Sequence, residues 1–195
     1  MCGVNDIPRL LTNENSSIPF SNASFQLSVE EKLFPITNLE LRDVIESDLS
    51  VFFEHQLDRE ANHMSAFTAL KDPNDRSAFD AHWKKILADK TWTIKPIVLS
   101  GQVAGHVGCF TSQDFGKLEV FYRIGREFWG RGVATNALSK FLHEMNVRPI
   151  YAHAAKDNRG SFRVLEKCNF KITAEEIGYS NSRNKEIEWL VLMLD

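Results

Sequence analysis

Cysteine is scarce: Cys2, Cys109 and Cys168 are the only three in 195 residues, odd in number, far apart and never in Cys-x-x-Cys spacing. This excludes a disulfide framework and a cysteine-rich metal module, and predicts a thiol-reduced, cytoplasmic protein. An excess of either charge is missing too. Lys and Arg number 23 against 26 Asp and Glu, a formal net charge of −3, so neither nucleic acid nor an anionic membrane finds a basic footprint. No apolar stretch approaches the roughly 18 residues of a membrane span, and Met1–Asn5 has neither the charged start nor the apolar run of a signal peptide. The histidines (His55, His63, His82, His106, His143 and His153) include no His-Glu-x-x-His or comparable pair, and no metal site is expected. What is present, 43% apolar and 25% charged residues, suffices for one packed domain without internal repeats.

The first 34 residues differ from the rest. Ser, Asn and Pro cluster there and predict a partly irregular extension, with Phe25, Leu27 and Val29 alternating as an added edge strand would. Asn15-Ser16-Ser17 and Asn22-Ala23-Ser24 match glycosylation acceptors, but no secretory signal supports that use. Residues 35–195 read as the domain proper. Leu39 to Val44 alternates as a strand; Ser47 looks like a helix cap before Leu49, Phe52-Phe53 and Leu57. A second helix is predicted from Ser77, with Asp80 completing an approximate capping box and Phe79, Trp83 and Ile86-Leu87 as its apolar stripe. Trp92 to Leu99, Ser100-Gly101 and Val103 to Phe110 form a hairpin in which Pro96 marks an edge or bulge. Leu118 to Ile124 adds a third antiparallel strand.

Beyond Gly132 the period changes to helical, through Ala134, Ala137-Leu138, Phe141-Leu142 and Met145. A strand (Ile150 to Ala154), a short helix (Ser161 to Lys167) and a final hairpin (Ile172 to Tyr179, Glu186 to Leu194) complete the chain. A strand, crossover helix and strand in that order imply one parallel pair. The predicted fold is α/β in the α+β sense: a mixed, mostly antiparallel sheet with helices on both faces.

The chemistry-bearing stretch runs from Tyr122 to Thr135, where a strand ends, a glycine-spaced loop follows and an apolar-periodic helix begins. Glycine at 130 and 132 lets backbone N–H groups turn inward, and the helix N-terminus adds unpaired amides and a positive dipole end. Such a turn suits a pyrophosphate, although the same residues also make an ordinary tight strand–helix turn. There is no Gly-Lys-Ser/Thr for a P-loop, and neither a third glycine nor an opening βαβ unit for a dinucleotide fingerprint. A nucleotide-binding protein built on Gly130-x-Gly132 would bind NAD or ATP instead.

Glu127-Phe128-Trp129-Gly130-Arg131-Gly132-Val133-Ala134-Thr135 resembles the Gln/Arg-x-x-Gly-x-Gly/Ala pyrophosphate loop of the GCN5-related N-acetyltransferases (GNAT). Its Trp-Gly-x-Gly-x-Ala-Thr form is similar to the branch holding ribosomal-protein N-terminal-alanine acetyltransferases. A second block, Asn158 to Ser161 continuing through Val164 to Phe170, resembles that family's Asn-x-x-Ser/Ala…Glu-Lys-x-Gly-Phe. The resemblance covers roughly Leu39 to the C-terminus. It implies the acyl-CoA N-acyltransferase fold, acetyl-CoA as co-substrate, and transfer to an amine on a small molecule or a protein N-terminus, by a monomer or homodimer. It also implies that strand backbone from Phe121 to Ile124, at Tyr122 and Ile124 above all, pairs with pantetheine. Loop amides from Trp129 through Gly130, Arg131, Gly132, Val133 and Ala134 to Thr135 would then hold the pyrophosphate. A non-catalytic acyl-CoA-binding module of the same fold is the alternative.

The resemblance places Glu119 where several members carry a general base; a solvated strand glutamate is the plainer reading. It gives Asn158 a contact with the coenzyme arm, and asparagine there is equally a helix N-cap. Ser161 stands near the coenzyme sulfur in close relatives and could protonate the leaving thiolate, or bond locally in a first helical turn. The tyrosine many members use as that acid is Leu165 here. Asn169 replaces a glycine, a position where asparagine tolerates left-handed backbone. Arg126 and Arg131 flank the loop as cations within reach of phosphate, or as solvated surface arginines. Cys168 reads as a small buried hydrophobe, and Phe79, Trp83 and Trp92 as core.

Overall fold

Alternation decides the sheet, and helical period decides what covers it. The computed structural model describes residue 36 and residues 38–112 and 116–195. The expectations for the N-terminal extension lie outside these residues. The described strands are β1 (Leu39–Leu41), β2 (Trp92–Leu99), β3 (Gln102–Thr111), β4 (Leu118–Ile124), β5 (Ile150–Ala155), β6 (Lys171–Ser180) and β7 (Lys185–Leu194). They form one sheet in the order β1-β2-β3-β4-β5-β7-β6, antiparallel except where β4 meets β5. The helices are α1 (Asp48–Leu57), α2 (Arg59–Ser65), α3 (Arg76–Ala88), α4 (Val133–Glu144) and α5 (Arg159–Lys167). None of the described helices is long and apolar enough to cross a membrane.

Successive residues of a strand face opposite sides, and two cores result. Val107, Val120, Ile124, Ile150, Ala152 and Leu192 pack beneath Leu138 and Phe141 of α4 and Leu165 of α5. On the other face Phe52 of α1 and Phe79, Trp83 and Ile86 of α3 pack with Ile94, and Phe121 joins them. The Phe52 and Trp83 rings lie 4.8 Å apart. Glu119, Phe121 and Arg123 therefore share the α1–α3 face, and Val120, Tyr122 and Ile124 share the α4 face.

Several expectations need correction. The β1 strand stops at Leu41 and does not reach Val44. Ser47 makes no side-chain cap; the buried Asp48 carboxylate takes the Ile45 amide at 2.8 Å and both Arg42 Nη atoms at 2.6 and 2.7 Å. Asp75, not Ser77, caps α3 by accepting from the Ala78 amide at 2.9 Å, and Asp80 pairs instead with Arg76 one turn back. Pro96 sits in an interior strand, but β1 covers only Ile97 to Leu99 and the register shifts between Ile97 and Val98, so the proline lies just outside the paired segment. Helix α2 has no counterpart in the sequence reading, because Arg59–Ser65 carries no apolar stripe; the Asp58 carboxylate starts it by accepting from the Glu60 and Ala61 amides.

Candidate active site

The sheet forks in its middle. Strands β4 and β5 share a single register pair, Glu119 with Tyr151, whereas β4 pairs with β3 along its whole length. Along its other edge β5 pairs with β7 from Ile150 to Ala155, and no register pair joins it to β4 beyond Glu119. The edge of β4 from Val120 to Ile124 thus has no strand partner among the described residues. Apart from the Ile124 carbonyl, the backbone groups on that edge suit an extended, amide-bearing ligand, since backbone polar groups need partners.

The fork opens onto the glycine loop. The Gly125 amide donates to Ala104 O at 2.9 Å, and a single 3₁₀ turn (Arg126–Phe128) follows, anchored by buried Phe128. The Trp129 indole N–H donates back to Ile124 O at 2.9 Å, folding the loop onto the end of the strand. Gly130 and Gly132 have φ of +71° and +77°, a region costing any other residue about 1–2 kcal/mol. Gly132 begins α4 with no side-chain cap. The first helical amide with an acceptor is that of Asn136, which donates to Gly132 O at 3.0 Å. The Val133, Ala134 and Thr135 amides precede it without a helical carbonyl, and among the described residues beyond its chain neighbours no atom lies within 4 Å of where a Gly130 Cβ would stand. Open space, unpaired amides and the dipole end of a twelve-residue helix coincide, the requirements for a phosphate cradle.

Two side-chain pairs flank the fork. On the α4 face the Tyr122 hydroxyl lies 3.2 Å from both Oγ and O of Ser161, in the first turn of α5. Burial pushes the Tyr122 phenol above its ordinary range, so it stays protonated. On the opposite face His153 Nδ1 donates to Glu119 Oε2 at 3.0 Å. The bond to Glu119 holds the His153 imidazole above its usual pKa.

The acetyltransferase (GNAT) domain profile matches residues 38–171. The chain belongs to the GNAT acetyltransferase family. An uncharacterised N-acetyltransferase p20 of Bacillus licheniformis is 26% identical over 80 residues, 39% of this chain and 45% of that protein, so the match spans less than half of this curated relative. Among solved structures, the microcin C7 self-immunity acetyltransferase MccE, in complex with acetyl-CoA and AMP, superposes with a TM-score of 0.70 at 15% identity, covering 81% of this chain and 92% of that one. Mycobacterium smegmatis RimJ in complex with CoA-disulfide gives 0.69 at 18% identity, covering 82% and 83%. Vibrio cholerae spermidine N-acetyltransferase, in complex with CoA and spermine, gives 0.66 at 17% identity, covering 80% and 95%. At these identities the solved structures speak for the fold.

Within this GNAT chain the expected site residues separate. The strand–loop–helix run from Tyr122 to Thr135 is continuous, with Ile124, Val133 and Thr135 side chains buried and their backbone bordering the loop. Arg131 is exposed, its guanidinium 5.5 Å from the Phe128 ring centroid. Arg126 turns away from the loop to Asp58 (2.9 Å) and Glu60, at the start of α2. Asn158 caps α5, its Oδ1 accepting the Ser161 amide at 3.0 Å, while its Nδ2 donates to Met64 O at 2.8 Å. Leu165 is 2% exposed inside the core and has no chemistry to offer. Cys168 is buried, with its thiol pushed up to about 11 by desolvation. Asn169 adopts φ +67° behind α5, where the Phe170 amide reaches Leu165 O and the Asn169 amide reaches Glu166 O, both at 3.0 Å: the Schellman end that the glycine it replaces would form.

Sequence reading missed the partners. His153 was visible only as a lone histidine, and the Tyr122 hydroxyl was hidden behind the role expected of its backbone. It also missed an arch on the α1–α3 face, where the end of α2 is stitched to the β6–β7 turn. The Ser180 hydroxyl donates to Ala66 O at 2.6 Å, Asn181 exchanges two hydrogen bonds with the Thr68 backbone at 2.9 and 2.7 Å, and Arg183 Nε donates to His63 O at 2.8 Å.

Proposed function

We propose that this chain is an acetyl-CoA-dependent N-acetyltransferase that passes an acetyl group directly to a primary amine, on a small molecule or a protein N-terminus, within a ternary complex. Residues 35–195 form its catalytic domain, and its place is the cytoplasm. The single observation that carries this reading is the fork between β4 and β5 running into the uncapped, glycine-flanked start of α4. An unpaired strand edge suits the two amides of pantetheine, and amides from Trp129 to Thr135 suit the pyrophosphate at its end. The acetyl-CoA-bound and CoA-bound neighbours support the same co-substrate.

The reaction needs no covalent enzyme intermediate. An uncharged amine attacks the thioester carbonyl; the new N–C bond forms, the C–S bond breaks, and the coenzyme leaves as a thiolate. Holding both substrates in line is worth about 7–11 kcal/mol of the barrier. A β4 amide near Tyr122 would donate to the developing oxyanion, a contact typically worth about 3–4 kcal/mol. Glu119 takes the proton the amine must lose, directly or through water, and His153 orients it. Ser161 gives a proton to the thiolate and is resupplied from solvent, while the Tyr122 hydroxyl, donating to Ser161 Oγ, orients it. Asn158 sets the start of α5, and with it Ser161, beside the coenzyme arm.

A non-catalytic acyl-CoA-binding module is the second reading, favoured by the burial of Leu165 where the family's tyrosine would stand. Thiol release from acetyl-CoA across a panel of amines and peptides, run beside calorimetric titration with acetyl-CoA, separates the two. Turnover with any amine supports the enzyme. Tight binding without turnover on any acceptor leaves the module, and no binding of acetyl-CoA overturns both.

A further inference from the structure

Arg123 is a half-buried cation that makes no ion pair among the described residues. It follows Tyr122 on the unpaired edge of β4, but its side chain points to the α1–α3 face, beneath α2. There Nη2 donates to Asn62 Oδ1 at 2.6 Å. This neutral amide is its one hydrogen-bond acceptor among the described residues, and no carboxylate lies within salt-bridge reach. A guanidinium carries five N–H donors. Asp58 attracts it through charge, but that carboxylate is already paired with Arg126 at 2.9 Å and accepts the Glu60 and Ala61 amides.

The surroundings add two imidazoles and one carboxylate, Glu127, whose Oε1 lies 3.7 Å from His55 Nε2. His106 faces Arg123 across the β3–β4 register, and His55 of α1 lies on the same face. Both imidazoles are buried, and both Nδ1 atoms lack a hydrogen-bond partner. Burial first, then the Arg123 charge, pull both below their ordinary pKa, against the opposing pull of Glu127 on His55 and with His106 at about 3, so they stay neutral and leave Arg123 as the cation. Asn62 is held in turn, its Nδ2 donating to Gln56 O at 2.8 Å. The arch of α2 and the β6–β7 turn roofs this face.

A buried charge is costly unless an opposite charge completes it. Arg123 keeps partial exposure, so an anion can reach it. Arg123 and Glu119 share one strand face four residues apart, about 13 Å at the usual rise of ~3.3 Å per residue. A molecule whose amine sits by Glu119 and whose acid group extends toward Arg123 satisfies both ends. We propose that Arg123, positioned by Asn62, binds an anionic group on the acceptor, making the preferred substrate a small amine that carries its own carboxylate or phosphate. This rests on the acetyltransferase reading above and narrows its acceptor.

The test is a set of matched acceptors assayed by thiol release: ω-amino acids of two to six carbons against their amides, and O-phosphoethanolamine against ethanolamine. The wild-type protein is expected to favour the acidic member of at least one series by tenfold or more in kcat/KM, and the favoured series tells carboxylate from phosphate. R123Q is expected to bring that ratio near one through KM while acetyl-CoA affinity, read by calorimetry, holds; R123K is expected to recover part of the ratio. Because R123Q can disturb packing, the free acids lacking an amine give a second readout on the wild type, as inhibitors competitive with the amine. Preference for the neutral members, an unchanged ratio in folded R123Q, or acetyl-CoA binding without turnover of any acidic amine would overturn the anion assignment alone. Failure to bind acetyl-CoA would instead remove the acetyltransferase reading beneath it.

Discussion

Glu119 and His153 meet at 3.0 Å beside the one register point that β4 and β5 share, so the carboxylate proposed to take the amine's proton is tied to a neighbouring strand. Because Glu119 raises the His153 pKa, the folded protein binds that proton more tightly than the unfolded chain does. The pair's contribution to stability is therefore full below the unfolded value near 6.5 and fades as pH climbs through the higher folded value. NMR titration of His153 should give a pKa above 6.5 that drops in Glu119→Gln. The same variant should lower turnover more at neutral than at high pH, where more amine is already uncharged. Equal losses at both would remove Glu119 as base.

At the glycine loop, space and backbone make different demands. A side chain at Gly130 has room, yet φ +71° penalises it, so Gly130→Val should cost about 1–2 kcal/mol in stability as well as obstruct the phosphates. Gly132→Ala, whose Cβ would make an ordinary 3.6 Å contact with Asn136 Nδ2, should be strained by φ +77° alone. Both are expected to weaken acetyl-CoA binding at least tenfold by calorimetry, with melting temperatures a few degrees lower. Unchanged affinity in either would contradict the cradle.

Cys168 packs between α4 and α5, its thiol 3.7 Å from Thr135 O. With its pKa pushed up to about 11, it is a thiol and not a nucleophile at neutral pH. Cys168→Ser should keep the activity while losing about 1–3 kcal/mol for placing a hydroxyl in an apolar site. Full inactivation of a folded variant would revive a covalent route.

The arch should matter to the acceptor and not to the coenzyme. Ser180→Ala with Asn181→Ala removes the Ala66 and Thr68 bonds. The double variant is expected to raise the acceptor KM several-fold and leave acetyl-CoA affinity as it was. A fall in acetyl-CoA affinity with no change in acceptor KM would place the arch on the wrong substrate.

What the sequence disclosed was local. Alternation from Leu118 to Ile124 and helical period after Gly132 delimit β4 and α4, and the glycines between them predict the turn. Asn169 was readable because its left-handed backbone is a property of one position. The reading failed where partners are distant. Arg123 and Asn62 lie 61 residues apart, and Glu119 and His153 lie 34 apart. Strand alternation assigns each a face and says nothing about who waits there. Helix α2 was missed for a related reason: Asp58, Asn62 and Arg126 hold it by polar contacts, so it has no hydrophobic rhythm to betray it.

A fork in a sheet creates bare β-edge inside the molecule rather than at its rim. Rims invite stray polypeptides to add on, and proteins guard them with charge, proline or brevity. Here the guard is taper. The cleft closes to nothing at Glu119 and Tyr151 and widens only toward Gly125, so a second β-strand at constant spacing could not run its length. A slender chain with few branches could, and under the proposed reading the wedge would select its guest by width.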